Sequence, residues 1–146
     1  MTQPITLSTI IGSTKEQVFD AFVQPEMLRQ FWLSEAEAPL EINKPVRWAF
    51  MVPGAEATAT ATRMDRPAAL SWTWPGDMSV DLAVSDFDAD HVLAELTVHG
   101  LPEGDLAAAA NTAEGFTLVL NDLKLLLETG RSPGLVAAKA RRIAHS

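Results

Sequence analysis

Between Gly115 and Gly130 the apolar residues Phe116, Val119, Leu120, Leu123 and Leu127 recur at the spacing that gathers them on one face of a helix. A stripe that wide has to be buried against another element. Gly130 stands where a left-handed C-cap closes the helix, and Pro133 prevents it from resuming. Its start is expected between Asp105 and Asn111, after the breaks at Gly100, Pro102 and Gly104. Upstream, β-branched residues make Ile5 to Ile11 a strand. Ser13 and Glu16 have the spacing of a capping box for a short helix whose buried face is Val18, Phe19 and Phe22. Pro25 suits the first position of a second short helix, reaching Phe31, with Met27, Leu28, Phe31 and Trp32 inward.

From Glu37 onward the period is two. Val46, Trp48, Phe50 and Val52 share one face of a strand, and Pro53-Gly54 turns the chain. The returning segment, Ala55 to Met64, places Ala55, Ala57, Ala59 and Ala61 on one face. Alanine is a poor strand former, so such a face implies a close helix or an open cavity. Three more alternating runs follow: Leu70, Trp72 and Trp74; Met78, Val80, Leu82 and Val84; Val92, Ala94, Leu96 and Val98. Short turns pair successive strands antiparallel, which predicts an α+β layer of sheet covered by the terminal helix.

Composition narrows the function classes. The 146 residues fit one domain and include no cysteine, which removes disulfides, thiolate metal sites and a cysteine nucleophile. His91, His99 and His145 are too scattered for a metal site, and no metal or cofactor is called for. Asp86, Asp88 and Asp90 alternate but lack the central glycine and downstream glutamate of a calcium loop, so they read as a solvated turn. The net charge of -8 is uneven, since residues 1–130 hold all 19 acids and seven of the 11 bases. An acidic body excludes nucleic acid as a main partner. Arg131, Lys139, Arg141 and Arg142 make the remainder, 131–146, a basic C-terminal tail that docks on the body or stays solvated. No apolar run reaches the roughly 20 residues of a membrane span, and the start lacks the layout of a secretory signal. The expected location is therefore cytoplasmic.

Several segments together resemble the START-like (SRPBCC) superfamily, and within it the family of activator of heat-shock-protein-90 ATPase homologues. They are Ser13 to Val23, Pro25-Glu26, Phe31-Trp32, Val46-Arg47-Trp48, Pro67 to Trp74, Leu96 to Pro102, and Gly115-Phe116 with its leucines. The resemblance implies a helix-grip (START-like/Bet v 1-like) fold for residues 1–130, in which a curved antiparallel sheet wraps a long C-terminal helix and a cavity lies between them. The eukaryotic co-chaperones of this family have an additional N-terminal domain, for which these residues leave no room, so a stand-alone domain of bacterial type is expected.

Three functions are compatible with this reading. The first is non-catalytic binding of a small hydrophobic or aromatic molecule, with Trp32, Trp48, Phe50, Trp72, Trp74, Phe116, Leu120 and His99 as the candidate ligand-binding residues. The alternative for each aromatic is ordinary core filling. The second is an enzyme resembling the polyketide cyclases, for which His99, Arg47, Glu56 and Asp81 are the available acids, bases and donors. The third is a co-chaperone or other interaction module. Leu118 and Leu125 fall opposite Phe116 on the helical wheel and suggest a homodimer contact, unless Leu135, Val136 and Ile143 fold back over them.

Overall fold

The computed structural model describes residues 3–145. Seven strands form one antiparallel sheet: β1 (Ile5–Ile11), β2 (Leu33–Ala36), β3 (Pro45–Phe50), β4 (Glu56–Asp65), β5 (Ala69–Trp74), β6 (Met78–Asp88) and β7 (His91–His99). Their spatial order is β1-β7-β6-β5-β4-β3-β2, so β1 closes onto the last strand while every other pairing joins neighbours in sequence. Helices α1 (Lys15–Ala21) and α2 (Pro25–Phe31) connect β1 to β2 and cover one end. The long helix α3 (Leu106–Thr129) lies in the concave face of the curved half-barrel, and α4 (Leu135–Ala144) packs along α3. This is the helix-grip arrangement that the family resemblance implies, and it contains the layer of sheet and covering helix that the strand alternation predicts.

The inward rows show why the strands hold this register. Leu7, Leu96, Leu82, Leu70 and Met64 are successive cross-strand partners from β1 to β4, so one residue of slip would carry the row to the solvent face. Beneath them Val119, Leu120, Leu123 and Phe116 of α3 complete a single core. The C-terminal half of α3 is fastened to β1 by polar contacts. Lys124 Nζ donates to the Ile10 carbonyl (2.6 Å) and to Glu128 Oε2 (2.8 Å), which also accepts the Gly12 N–H (2.7 Å). The far end is set by Gly100, whose φ of 88° carries the chain so close to the β5–β6 turn that a Cβ there would stand 2.3 Å from the Asp77 carbonyl oxygen.

Local details depart from the sequence reading. Thr14, rather than Ser13, caps α1, its Oγ1 accepting the Gln17 N–H at 3.1 Å, while Ser13 bonds the Gln17 side chain. Strand β2 carries only a four-residue LSEA stretch, too short for periodicity to reveal, and it forms because β3 offers an edge. Thr62 is an extra residue between the Ala61 and Arg63 pairings, and this β4 bulge leaves Thr62 and Arg63 both exposed. The room beside the β4 alanines is taken by indoles. Trp48 of β3 lies opposite Ala57 and Trp72 of β5 opposite Ala61, so the small side chains accommodate large ones from both flanking strands.

One ion pair ties α1 to the β4–β5 turn. Arg66 donates to both carboxylate oxygens of Asp20, each at 2.8 Å. Those hydrogen bonds hold the Asp20 carboxyl below its ordinary range, the guanidinium charge adding to them. In the unfolded chain Asp20 would bind a proton near pH 3.9, roughly its ordinary value. The pair's contribution is therefore complete above that pH and is lost as the pH falls through the lower folded value. Asp20→Asn is expected to flatten the acid side of the stability profile below about pH 4, measured by urea unfolding across pH. A profile identical to the parent's would refute that assignment.

Candidate functional site

The first turn of chain after α2 delivers Trp32 into the middle of the concave face, where it touches more rings than any other residue. Its neighbours are Phe22, Trp48, Phe50, Trp72, Trp74 and Phe116, with centroids 5.2–6.2 Å away and mostly edge-on or tilted. The strands supply the rest because alternation aims Trp48, Phe50, Trp72 and Trp74 to the same side. Phe116, near the middle of α3, stacks on Trp74 with centroids 6.1 Å apart.

Beside this cluster a cavity of about 380 Å³ opens between the sheet, α3 and α4. Trp32, Phe50, Trp74 and Phe116 form its aromatic wall, and Val136 and Ala140 of α4 form the opposite one. Met51, Val52 and Ala55 of the β3–β4 hairpin close a third side. Of the residues singled out from sequence, those four aromatics border the open space. Trp48, Trp72 and Leu120 are fully buried in the packed core next to it. His99 lies on the other face of the sheet, because in β7 the odd-numbered residues point away from the buried Val92, Ala94, Leu96 and Val98.

The candidate catalytic groups also lie away from the cavity, none of Arg47, Glu56, Asp81 and His99 bordering it. Arg47 pairs with Glu56 at 3.2 Å and Glu35 at 3.8 Å on the exposed face, the Glu56 hydrogen bond and charge raising its pKa further. Asp81 accepts from Ser71 Oγ (2.6 Å) and from His99 Nε2 (2.8 Å). Here the carboxylate stands between hydroxyl and imidazole, so the histidine has no contact through which to activate Ser71. Among the described residues no cluster of His, Asp and Glu has metal-binding geometry.

Two features escaped the sequence reading. Residues 135–144 form a helix, and its first amides are capped from outside: Leu135 and Val136 N–H donate to Asp122 Oδ1 and Oδ2 at 2.9 and 2.8 Å. Asp122 is 1% exposed, the sole fully buried acid among the described residues. The available signal was an acid between Val119, Leu123 and Leu126 on α3, followed past Gly134 by a short apolar run in need of a cap. The other feature is that the apolar surface of α3 extends beyond the sheet-facing stripe. Leu118 borders the cavity together with Val136 and Ile143 of α4, the folded-back alternative to a homodimer contact, and Leu125 is half-buried. The indole N–H groups of Trp48, Trp72 and Trp74 are buried without a hydrogen-bond partner, and of these three side chains Trp74 borders the cavity.

An antiparallel sheet gripping a terminal helix, with an apolar cavity left between them, defines the class of helix-grip proteins. Within that class, residues 13–128 match the model of the family described as activator of Hsp90 ATPase homolog 1-like protein, and the chain belongs to this family. The Staphylococcus saprophyticus protein SSP2350 superimposes with a TM-score of 0.81 at 24% identity, covering 89% of this chain and 95% of that one. The Aha1 protein of Colwellia psychrerythraea, solved in solution as a dimer, gives 0.80 at 14% identity, with coverage of 90% and 100%. DynU16, from the dynemicin biosynthetic locus, gives 0.75 at 16% identity and covers 88% of this chain but 48% of its own. At these identities the likeness is one of fold. No curated protein matches the chain.

Proposed function

We propose that the protein binds one small hydrophobic or aromatic molecule in the cavity between the sheet, α3 and α4, without catalysing a reaction on it. The observation that carries this reading is an apolar space of about 380 Å³ walled by four aromatic side chains in an otherwise densely packed core. The space opens to solvent beside α4, and small-molecule pockets, which are lined mostly by apolar and aromatic side chains, start at roughly 300 Å³. The polyketide-cyclase alternative has the DynU16 likeness behind it but places its acids and bases outside this space. The cytoplasm is the compartment proposed, on the cysteine-free sequence; among the described residues no helix is long and apolar enough to cross a membrane.

Calorimetric titration with the neutral probes 2-naphthol and 1-octanol tests the proposal. Saturable binding of one molecule per chain is expected, and Val52→Trp, which puts an indole into the space, is expected to abolish it while circular dichroism stays unchanged. A folded parent chain that binds neither probe, nor the carboxylate of either skeleton, would end the proposal.

Interaction through a homodimer at Leu118 and Leu125, or a co-chaperone role, is a separate proposal, supported by the family membership and by the dimer of the Colwellia relative. Because Leu118 borders the cavity beside α4, this pairing requires α4 to shift. Sedimentation equilibrium checks it, and a monomer at every concentration would exclude it.

A further inference from the structure

We propose that the molecule held in this cavity is an apolar monocarboxylate, its body among the rings and its carboxylate on Lys139 in place of Glu114. The inference rests on the small-molecule reading above and narrows the ligand class. Among the described residues bordering the cavity, Lys139 is the single charged one, and Thr112 the single hydroxyl. An apolar chamber with one cation at its wall selects a ligand that is apolar over most of its surface and anionic at one end.

The present partner of that cation is replaceable. Lys139 Nζ donates to Glu114 Oε1 across the α3–α4 seam, with the lysine side chain 30% exposed and the glutamate 54%. The Glu114 carboxylate is therefore a solvated group reaching the rim, and it is absent from the cavity lining. The Lys139 hydrogen bond and charge hold its carboxyl below the ordinary range, and the charge of Arg142 adds to them. Both cations act on Glu114, and of the two Lys139 borders the cavity.

Exchange of one carboxylate for another at Lys139 conserves the hydrogen bond and returns Glu114 to water, where Arg142 still answers it. An exposed pair of this kind is worth little, so its loss opposes the exchange weakly. The incoming molecule differs from Glu114 in bringing apolar surface that the aromatic wall can bury. A neutral hydroxyl can accept a hydrogen bond from Lys139 but lacks the attraction between opposite charges, and a cationic ligand is repelled. The position of the lysine on α4 also means that the ligand head would bind the same helix whose Val136 and Ala140 wall the chamber.

The experiment is calorimetry on the full chain near neutral pH with octanoate and 2-naphthoate beside their neutral counterparts, 1-octanol and 2-naphthol. The parent should bind each carboxylate roughly threefold more tightly than its neutral partner, the scale of a partly exposed ion pair. Lys139→Met should erase that preference while the neutral probes still bind, which also reports that α4 remains in place. Glu114→Gln, by removing the competing carboxylate, should tighten the carboxylates alone. Stronger binding of octanoate marks a chain-like natural ligand, stronger binding of 2-naphthoate a ring-like one, and each upholds the class. Neutral probes that bind as tightly as the carboxylates, or a preference that survives in Lys139→Met, would overturn the carboxylate assignment and leave the cavity reading intact. Failure of all four probes would remove the cavity reading and this inference together.

Discussion

Trp32→Ala is expected to lower the unfolding free energy by about 4 kcal/mol, within the range for removing a large aromatic from a core. Trp32 is almost wholly buried and contacts six other rings, drawn from α3, the helical segment before β2, and strands β3 and β5. Alanine would join the vacated volume to the existing cavity, and relaxation is limited because its neighbours on the sheet are fixed by register. Trp32→Phe keeps an apolar ring and is expected to cost less than half as much. Equilibrium urea unfolding measures both. If alanine and phenylalanine cost the same, the ring network would not be what holds the α2 end of the molecule to the sheet.

Asp122→Ala is expected to cost about 2 kcal/mol, because it strips the partner from two backbone N–H groups and leaves the first two amides of α4 to water or to nothing. For a domain of this length that amounts to a fall in Tm on the order of 6 °C. The loss should be local first. Gly134, at the N-cap, has no side chain of its own to substitute, so α4 would fray from its start while the sheet and α3 stay folded. Hydrogen exchange at the Leu135 and Val136 amides is the direct readout, and both should lose protection before any β6 or β7 amide does. Asp122→Asn retains one carbonyl acceptor and should fall between the variant and the parent. Unchanged protection in Asp122→Ala would mean that the apolar contacts of Val136 and Ala140 hold α4 unaided. Since those two residues wall the cavity, the alanine variant should also bind neutral probes more weakly.

The elements that were legible in the sequence are those whose signal is carried by spacing alone. Leu70, Trp72 and Trp74 alternate into the core, as do Val80, Leu82 and Val84, and Val92, Ala94, Leu96 and Val98. Gly130 takes the left-handed C-cap that its position at the end of the leucine run demands. What stayed hidden depends on a neighbour distant in sequence. LSEA at 33–36 has no periodicity of its own and becomes β2 because β3 presents unpaired backbone beside it. The helicity of 135–144 is similar, since a ten-residue helix without its own capping side chain is marginal alone and gains its cap from α3.

The same division runs through the candidate site. That large aromatics would gather on the concave face followed from their even spacing, but their division into cavity wall and solid core did not. Trp72 and Trp74 are two residues apart on one strand, yet Trp72 is sealed by its neighbours while Trp74 reaches the open space. His99 ends a strand in phase with residues that face outward, which puts it with Asp81 and Ser71 behind the sheet.

By itself, then, the sequence determined the order of the elements other than β2 and α4, the inward faces of β3 to β7, the apolar stripe of α3 and the layering of sheet on helix, because periodicity and turn chemistry act within a few residues. The tertiary structure decided where space remained, which acid caps α4 and which cation stands at the cavity mouth. Those outcomes depend on the relative placement of α3, α4 and the hairpin after β3, and placement of that kind is set by packing between surfaces that no local repeat encodes.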